Sequence, residues 1–259
     1  MPAHPAGDSH PSFSEVDHRP WPLPRGRWSW SQSWCDLLFA HWPVPVAAVR
    51  PLVPASLNVQ TFDGSAWVTV VPFRMVDVTR RPWPPVPGLS TFPELNVRVY
   101  VEAGGKPGVF FLSLDAANPL VVWFARTFFH VPYFQARMEL VPEGEGFHGR
   151  CRRRAGSSST TAPAQFEARY RPVSAARAAQ PGTLEYFLTE RYCLYAHAPD
   201  GSLYRAEVHH KPWPLQQAEA EITANTVPAA DGLPLAGPPA LLHFARRVDV
   251  ALWGSVRVE

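Results

Sequence analysis

Proline is the residue that most constrains how this chain can fold. It occurs 30 times, against 16 glycines, in a chain of 259 residues. A proline inside a helix removes a backbone hydrogen bond and clashes with the preceding turn. The sequence therefore predicts few, short helices and many short strands joined by stiff turns.

We interpret residues 27–259 as one domain that follows a short tail. Residues 1–26 are rich in Pro, His, Ser and Gly, and this composition predicts a disordered or loosely packed segment. No shift in composition after Trp28 marks a linker between domains. Within the domain, residues 76–91 contain four prolines and no hydrophobic period. They predict a long loop of the kind that often forms a lid or a pocket rim.

One predicted strand, residues 93–101, carries an unusual set of polar side chains. Strict alternation sends Glu94, Asn96 and Arg98 to one face and the aliphatic residues at 95, 97, 99 and 101 to the other. An acid, an amide and a base on one face indicate either a solvent-exposed face or the wall of a polar pocket.

Apolar spacing predicts three short helices beyond this strand. Residues 120–129 form an amphipathic segment with Arg126 in its C-terminal half, where a cation complements the helix dipole. Thr183 is a predicted N-cap for residues 183–191. Pro214 is predicted to start a helix over residues 215–222.

Charge and cysteine content argue against several functional classes. A net charge of +2 gives no indication of a nucleic-acid partner. Cys35, Cys151 and Cys193 form no CxxC pair, which argues against a disulfide framework and a zinc site and favours a reducing compartment. No apolar run approaches ~18 residues, so we expect neither a signal peptide nor a membrane span. The sequence thus predicts a cytoplasmic protein without a metal or another cofactor.

Glu94 is the best candidate for an acid or base. Aromatic neighbours would raise the pKa of its carboxyl group by desolvation, unless Arg98 or Arg126 pairs with it. Both a functional carboxylate and a structural salt bridge fit this pattern.

Nine motifs in order along the chain resemble the YqjF-like proteins, the DUF2071 family, a bacterial group of unknown function. They are Leu38-Phe39-Ala40-His41-Trp42, Asp63-Gly64-x-Ala66-Trp67, Pro72-Phe73, Glu94-Leu95-Asn96-Val97-Arg98, Phe111-x-x-Leu114-Asp115, Ala125-Arg126, Pro132-Tyr133-x-x-Ala136, Leu188-Thr189-Glu190-Arg191-Tyr192 and His210-x-Pro212-Trp213-Pro214-Leu215. That family is in turn distantly similar to acetoacetate decarboxylase. The resemblance implies a mainly antiparallel β (α+β) fold, in which a curved sheet closes as a cone or barrel around a pocket.

The decarboxylase pattern also implies site residues. Glu94 matches its central glutamate and Arg126 its arginine, whereas Tyr133 and Phe134 stand where two lysines belong. Tyrosine cannot form the Schiff base that such a decarboxylase needs. The resemblance therefore implies the pocket of the decarboxylase without its usual chemistry.

Two hypotheses about function follow, and a third concerns assembly. The protein binds a small, anionic organic molecule such as a carboxylate, or it is an enzyme of lyase or hydrolase type that acts on a small carbonyl or carboxylate compound. The Trp-rich strand after residue 28 and the Pro-rich loop could instead form a homo-oligomer interface. The predicted catalytic residues are Glu94, Tyr133 and Arg126, and the predicted ligand-binding residues are Asn96, Arg98, Trp67, Phe111 and Phe124.

Overall fold

A computed structural model of the chain describes residues 9–154 and 164–258. Thirteen strands of these residues belong to one sheet. They are β1 (Trp30–Val44), β2 (Asn58–Val59), β3 (Ala66–Arg80), β4 (Phe92–Ala103), β5 (Lys106–Ala116), β6 (Tyr133–Glu143), β7 (Gly146–Arg153), β8 (Gln165–Pro172), β9 (Cys193–His197), β10 (Leu203–His209), β11 (Leu215–Asn225), β12 (Leu241–Leu252) and β13 (Val256–Val258).

The pairing of these strands is ring-like. The sheet order is β13-β10-β9-β5-β6-β7-β8-β11-β12-β1-β3-β4-β2, and additional pairings join β10 to β12 and β5 to β4. Only the pairings of β5 with β6 and with β9 are parallel among the described strands. The predicted fold class, a mainly antiparallel curved sheet with a few short helices, is confirmed.

A bulge in β1 contributes to the curvature of the sheet. Between the pairs Cys35–Arg74 and Ala40–Val70, β1 advances five residues while β3 advances four. Asp36 lies at this bulge with a φ of 58°, a left-handed conformation that aspartate tolerates better than most residues. An extra residue of this kind bends its strand.

Strand β4 separates the main core from a second apolar cluster. Its aliphatic residues, at positions 95, 97, 99 and 101, are fully buried in the main core. The opposite face carries Glu94, Asn96 and Arg98, which are also buried. The predicted alternation is therefore correct, and the polar face does not point to solvent.

The helices are short and lie between strands. They are α1 (Val46–Val49), α2 (Pro119–Phe129), α3 (Leu184–Thr189) and α4 (Val227–Ala230), with 3₁₀ turns at Pro11–Ser14 and Arg50–Leu52. Helix α2 begins where Asn118 accepts hydrogen bonds from the backbone N–H groups of Leu120 and Val121, as an N-cap residue does.

The helix predicted over residues 215–222 is wrong, because this segment forms β11. Its Ala, Glu and Gln residues favour a helix, but Ala218, Ala220 and Ile222 alternate toward the core. Pairing with β8 and β12 fixes the extended conformation. Likewise, β3 continues to Arg80, so the predicted loop over 76–91 is reduced to residues 81–91.

The described part of the N-terminal segment packs more closely than predicted. Residues 1–8 lie outside the described residues, whereas His10, Ser12 and Arg19 are buried. The Arg19 guanidinium donates to a carboxylate oxygen of Glu207, 3.1 Å away. This buried ion pair fastens the segment to β10, so residues 9–22 are not a loose tail.

The described residues contain neither a helix suited to cross a membrane nor a cluster suited to hold a metal ion. No helix among residues 9–154 and 164–258 has both the length and the apolar character needed to cross a membrane. Within the same residues, no three His, Cys, Asp or Glu side chains are arranged to hold a metal ion.

Candidate functional site

A cavity of about 580 Å³ lies on the polar side of β4. Helix α2 and the loop 81–91 line one end of it, and the strands around β4 line the rest together with residues of the connections that flank β9, β10 and β12. Its walls are largely apolar, with Trp30, Trp34, Leu37, Val71, Phe73, Met75, Phe92, Phe111, Leu114, Val121, Phe129, Val131, Leu194, Val208, Trp213 and Leu252 among the lining residues. A cavity of this size with few polar groups is typical of a small-molecule site.

Glu94 and Tyr133 form a hydrogen-bonded pair in the cavity wall. The Tyr133 hydroxyl donates to Oε2 of Glu94 at 2.6 Å. Burial raises the pKa of the Glu94 carboxyl to about 7, although hydrogen bonds from Tyr133 and Asn96 act in the opposite direction. Burial and the neighbouring Glu94 raise the pKa of Tyr133 well above its usual value. Glu94 can therefore exchange a proton near neutral pH, while Tyr133 stays a hydrogen-bond donor.

Two arginines lie deeper in the cavity wall, and neither is neutralised. Arg98 and Arg191 are each only 8% exposed. Arg98 donates to the carbonyl of Leu188 at 3.1 Å, and Arg191 donates to the carbonyl of Phe187 at 2.7 Å and to the Gln60 side chain. No carboxylate of the described residues forms a salt bridge with either guanidinium.

The pKa of Arg191 reflects the absence of an acidic partner. Burial lowers the pKa of Arg191 to about 10, and the positive charge of Arg98 acts in the same direction. Arg191 still carries its charge at neutral pH. Two polar atoms of the same wall, Nε of Arg98 and Oδ1 of Asn96, are buried without a hydrogen-bond partner.

Comparison with known proteins identifies the family. The DUF2071 family model, described as an uncharacterized conserved protein, matches residues 31–249. The chain belongs to the DUF2071 family. It is 46% identical over 231 residues to the uncharacterized protein YqjF of Bacillus subtilis (strain 168), and this match covers 89% of the chain and 93% of YqjF.

Solved structures similar to this DUF2071 chain share its fold at low sequence identity. An acetoacetate decarboxylase-like enzyme from Sphingomonas wittichii RW1 matches with a TM-score of 0.61 at 16% identity, over 89% of this chain and 93% of that one. Acetoacetate decarboxylase from Legionella pneumophila subsp. pneumophila str. Philadelphia 1 gives 0.58 at 14% identity, over 93% of each chain. The enduracididine biosynthesis enzyme MppR, complexed with pyruvate, gives 0.59 at 14%, over 94% and 93%.

The structure brings together five of the eight site residues predicted for this DUF2071 protein. They are Glu94, Asn96, Arg98, Phe111 and Tyr133, which all line the cavity.

The other three residues do not join this group. Trp67 has the same orientation on β3 as the cavity-lining residues of that strand, but it lies nearer the start of the strand, buried with Tyr100 and Leu188 in a separate apolar cluster. Arg126 is exposed on α2 and is not part of the cavity lining, because the adjacent Ala125 takes the buried position. Phe124 belongs to α2, but its side chain lies outside the described residues.

Arg191 and His210 are two of the cavity-wall residues that sequence reasoning missed. Arg191 lies on the motif Leu188–Tyr192 that indicated the family, and that motif was the available signal. His210 is buried against Trp213 and Tyr192, and burial lowers its pKa to about 4. His210 is therefore neutral at physiological pH.

Neither lysine of this DUF2071 chain reaches the cavity. Lys106 donates to Glu207 at 2.7 Å, and Lys211 lies 3.5 Å from Glu15. The chain contains no other lysine. No lysine amine therefore lies among the described residues that line the cavity.

Proposed function

We propose that this protein binds a small organic carboxylate, with Arg98 and Arg191 holding the carboxylate group. The observation that carries the proposal is the pair of buried guanidinium groups without an acidic partner. A buried charge that nothing compensates is costly, by several kcal/mol per ion. A bound anion would supply the missing counter-charge, and the planar guanidinium matches a carboxylate in geometry.

The walls and the relatives support the same ligand class. Aromatic and aliphatic side chains surround the arginine pair, so its interaction with an anion is weakly screened by water. The structural neighbour MppR is described in a complex with pyruvate, a small carboxylate. The binding that we propose needs no cofactor, nucleic acid or membrane.

Calorimetric titration with hexanoate and with its neutral analogue hexanamide tests this function. We expect hexanoate to bind at least tenfold more tightly. Arg98→Gln and Arg191→Gln should each weaken hexanoate binding about tenfold to hundredfold, since hydrogen bonds to charged groups contribute about 1.5–3 kcal/mol.

The control for this titration is Arg137→Gln. Arg137 is an exposed residue of β6 outside the cavity lining, so its substitution should leave binding unchanged. Equal affinities for hexanoate and hexanamide, or full binding by Arg98→Gln, would contradict the proposed function.

A second candidate, an enzyme of lyase or hydrolase type, is favoured by the Glu94–Tyr133 pair. A carboxyl with a pKa near 7 is well matched to proton transfer at neutral pH, and Tyr133 can donate to a developing oxyanion. A Schiff-base route has no place in it, because neither lysine lines the cavity.

Proton exchange next to a carbonyl group tests this candidate. We expect the protein to accelerate deuterium incorporation at C3 of 2-oxohexanoate, followed by NMR in heavy water. Glu94→Gln should slow this exchange at least ~100-fold while keeping the ligand affinity. If the wild-type protein does not accelerate the exchange, the enzyme candidate is wrong and the binding function alone remains. If Glu94→Gln lowers the melting temperature but leaves the exchange rate unchanged, the carboxyl of Glu94 has a structural role.

We also propose a cytoplasmic location. Cys35, Cys151 and Cys193 are free and buried, which suits a reducing compartment. Fractionation of cells that contain the protein should recover it with cytosolic markers.

A further inference from the structure

Five large apolar side chains at one end of the cavity are exposed to solvent. Trp83 is 70% exposed, Val86 51%, Leu89 37%, Leu120 59% and Trp123 61%, and all five line the cavity. We call this group the apolar collar. Exposed apolar groups of this kind usually mark a binding surface, and the collar is continuous with the cavity wall.

The strand register places the collar and the arginine pair at opposite ends of the site. The loop 81–91 leads into β4 at Phe92, and α2 follows the end of β5, where Ala116 pairs with Glu94. Arg98 lies four residues further along β4, about 13 Å from Glu94 at a strand rise of ~3.3 Å per residue. From the mouth inward, the order is collar, Glu94–Tyr133 pair, arginine pair.

The cavity is larger than a two- or three-carbon acid requires. Its volume of about 580 Å³ falls within the ~300–1,000 Å³ that accommodates drug-sized ligands. Between the arginine pair and the collar, the walls include Phe92, Phe111, Leu114 and Phe129. These side chains offer apolar contacts along the whole path.

We infer, on the basis of the proposed function, that the ligand is an amphipathic monocarboxylate with an apolar chain of about ten carbons. Its carboxylate lies on Arg98 and Arg191, and its chain passes the Glu94–Tyr133 pair and ends against the collar. The distance of about 13 Å from Arg98 to Glu94, with carbon–carbon bonds of ~1.5 Å, makes about ten carbons the shortest chain that reaches past the Glu94–Tyr133 pair toward the collar. The collar is therefore the binding surface for the apolar end of the ligand.

A series of straight-chain acids tests this inference. Butanoate, hexanoate, octanoate and decanoate, each below its micelle concentration, are titrated against the full chain by calorimetry, with decan-1-ol as the uncharged probe. We expect the affinity to rise about two- to fourfold for each added methylene, because each buried methylene adds a similar transfer free energy. Decan-1-ol should bind at least tenfold more weakly than decanoate.

Substitutions in the collar show whether it holds the chain. Trp83→Ser and Val86→Ser should each weaken decanoate binding about threefold to tenfold and leave butanoate binding unchanged. Val173→Ser is the matched control for Val86→Ser, because Val173 is 43% exposed and lies outside the cavity lining. Arg98→Gln should weaken the binding of both acids.

The outcomes separate this inference from the proposed function. Equal affinities for butanoate and decanoate, both dependent on Arg98, would overturn the amphipathic ligand and keep the carboxylate site. Unchanged decanoate binding by both collar variants would also overturn the amphipathic ligand and keep the carboxylate site. If decan-1-ol binds as tightly as decanoate, or if no acid binds, the carboxylate site itself is wrong and the inference falls with it.

Discussion

Two buried arginine centres of this chain differ in how their charges are balanced. Arg153, at the end of β7, donates to both oxygens of Asp115 at 2.7 and 2.9 Å and to Asp231 at 2.8 Å. Its side chain is 2% exposed, and those of the two aspartates are 0% and 3% exposed. Arg98 and Arg191 are buried too, but they donate to backbone carbonyls and one amide oxygen.

The difference separates a structural role from the binding role that we propose. The protein itself supplies two carboxylates to Arg153, so this centre is complete without a ligand. Burial raises the pKa of Asp115 and of Asp231, and Arg153 acts against that rise in both. The arginine pair in the cavity has no such partner, and its positive charge remains available to an anion from outside.

Removing Arg153 should produce the largest change in stability. Arg153→Met leaves Asp115 and Asp231 buried without their counter-charge, and we expect the free energy of unfolding to fall by about 3–5 kcal/mol. Urea unfolding followed by circular dichroism measures this.

Arg150→Met is the matched control on the same strand. Arg150 is half exposed and pairs with Glu167 at the surface, where an ion pair contributes about 0–1 kcal/mol. If Arg153→Met and Arg150→Met lose equal free energies of unfolding, the buried centre of Arg153 has no special role in stability.

The second prediction concerns Glu94, the only carboxyl of the described residues that shares the cavity wall with the arginine pair. The pKa of Glu94 is about 7 in the folded chain against 4.5 for the ordinary group. The folded state therefore holds its proton more tightly, so the stability from Glu94 is complete below about pH 4.5. It is lost as the pH rises through about 7, with a total of roughly 3 kcal/mol.

Urea unfolding of the wild type and of Glu94→Gln between pH 4.5 and 8 isolates this contribution. Buried histidines such as His209 and His210, whose pKa values are lowered, change the stability in the opposite direction in both proteins. The difference between the two pH profiles therefore belongs to Glu94. Parallel profiles would mean that Glu94 does not titrate in this range.

The sequence predicts the polar residues that β4 contributes to the cavity wall better than the residues that distant parts of the chain contribute. Alternation along β4 is a local property, so it placed Glu94, Asn96 and Arg98 on one face without knowledge of the fold. Whether that face met solvent or a cavity depended on the sheet closing over it, which only the family resemblance implied. Arg191 lies 93 positions after Arg98, and no local pattern brings two such residues together.

The errors have equally specific causes. Arg126 was assigned to the site by the decarboxylase pattern alone, whereas the structure leaves its side chain exposed on α2. The helical composition of residues 215–222 was outweighed by pairing with two neighbouring strands. The contacts of Arg19 with Glu207 span 188 positions, so composition alone described the N-terminal segment as loose.

The third prediction tests the contrast between the two arginine centres directly. Arg98→Gln removes a buried charge that has no acidic partner, so no carboxylate is left unbalanced. We expect the free energy of unfolding to fall by no more than about 1 kcal/mol, the size of the lost hydrogen bond to Leu188, because relief of the uncompensated buried charge acts in the opposite direction. Urea unfolding in the absence of ligand measures this, and a loss as large as that of Arg153→Met would remove the distinction between the centres.

The smallest effect is expected at Arg126, which the family pattern assigned to the site and the structure places on the surface of α2. Arg126→Gln should lower the free energy of unfolding by no more than about 0.5 kcal/mol, through the lost interaction with the helix C-terminus. Because the side chain does not line the cavity, hexanoate affinity should equal that of the wild type, while Arg98→Gln in the same titration loses most of its binding. A loss of affinity in Arg126→Gln would show that α2 turns this residue toward the ligand, and the arginine pair would then not be the whole anion site.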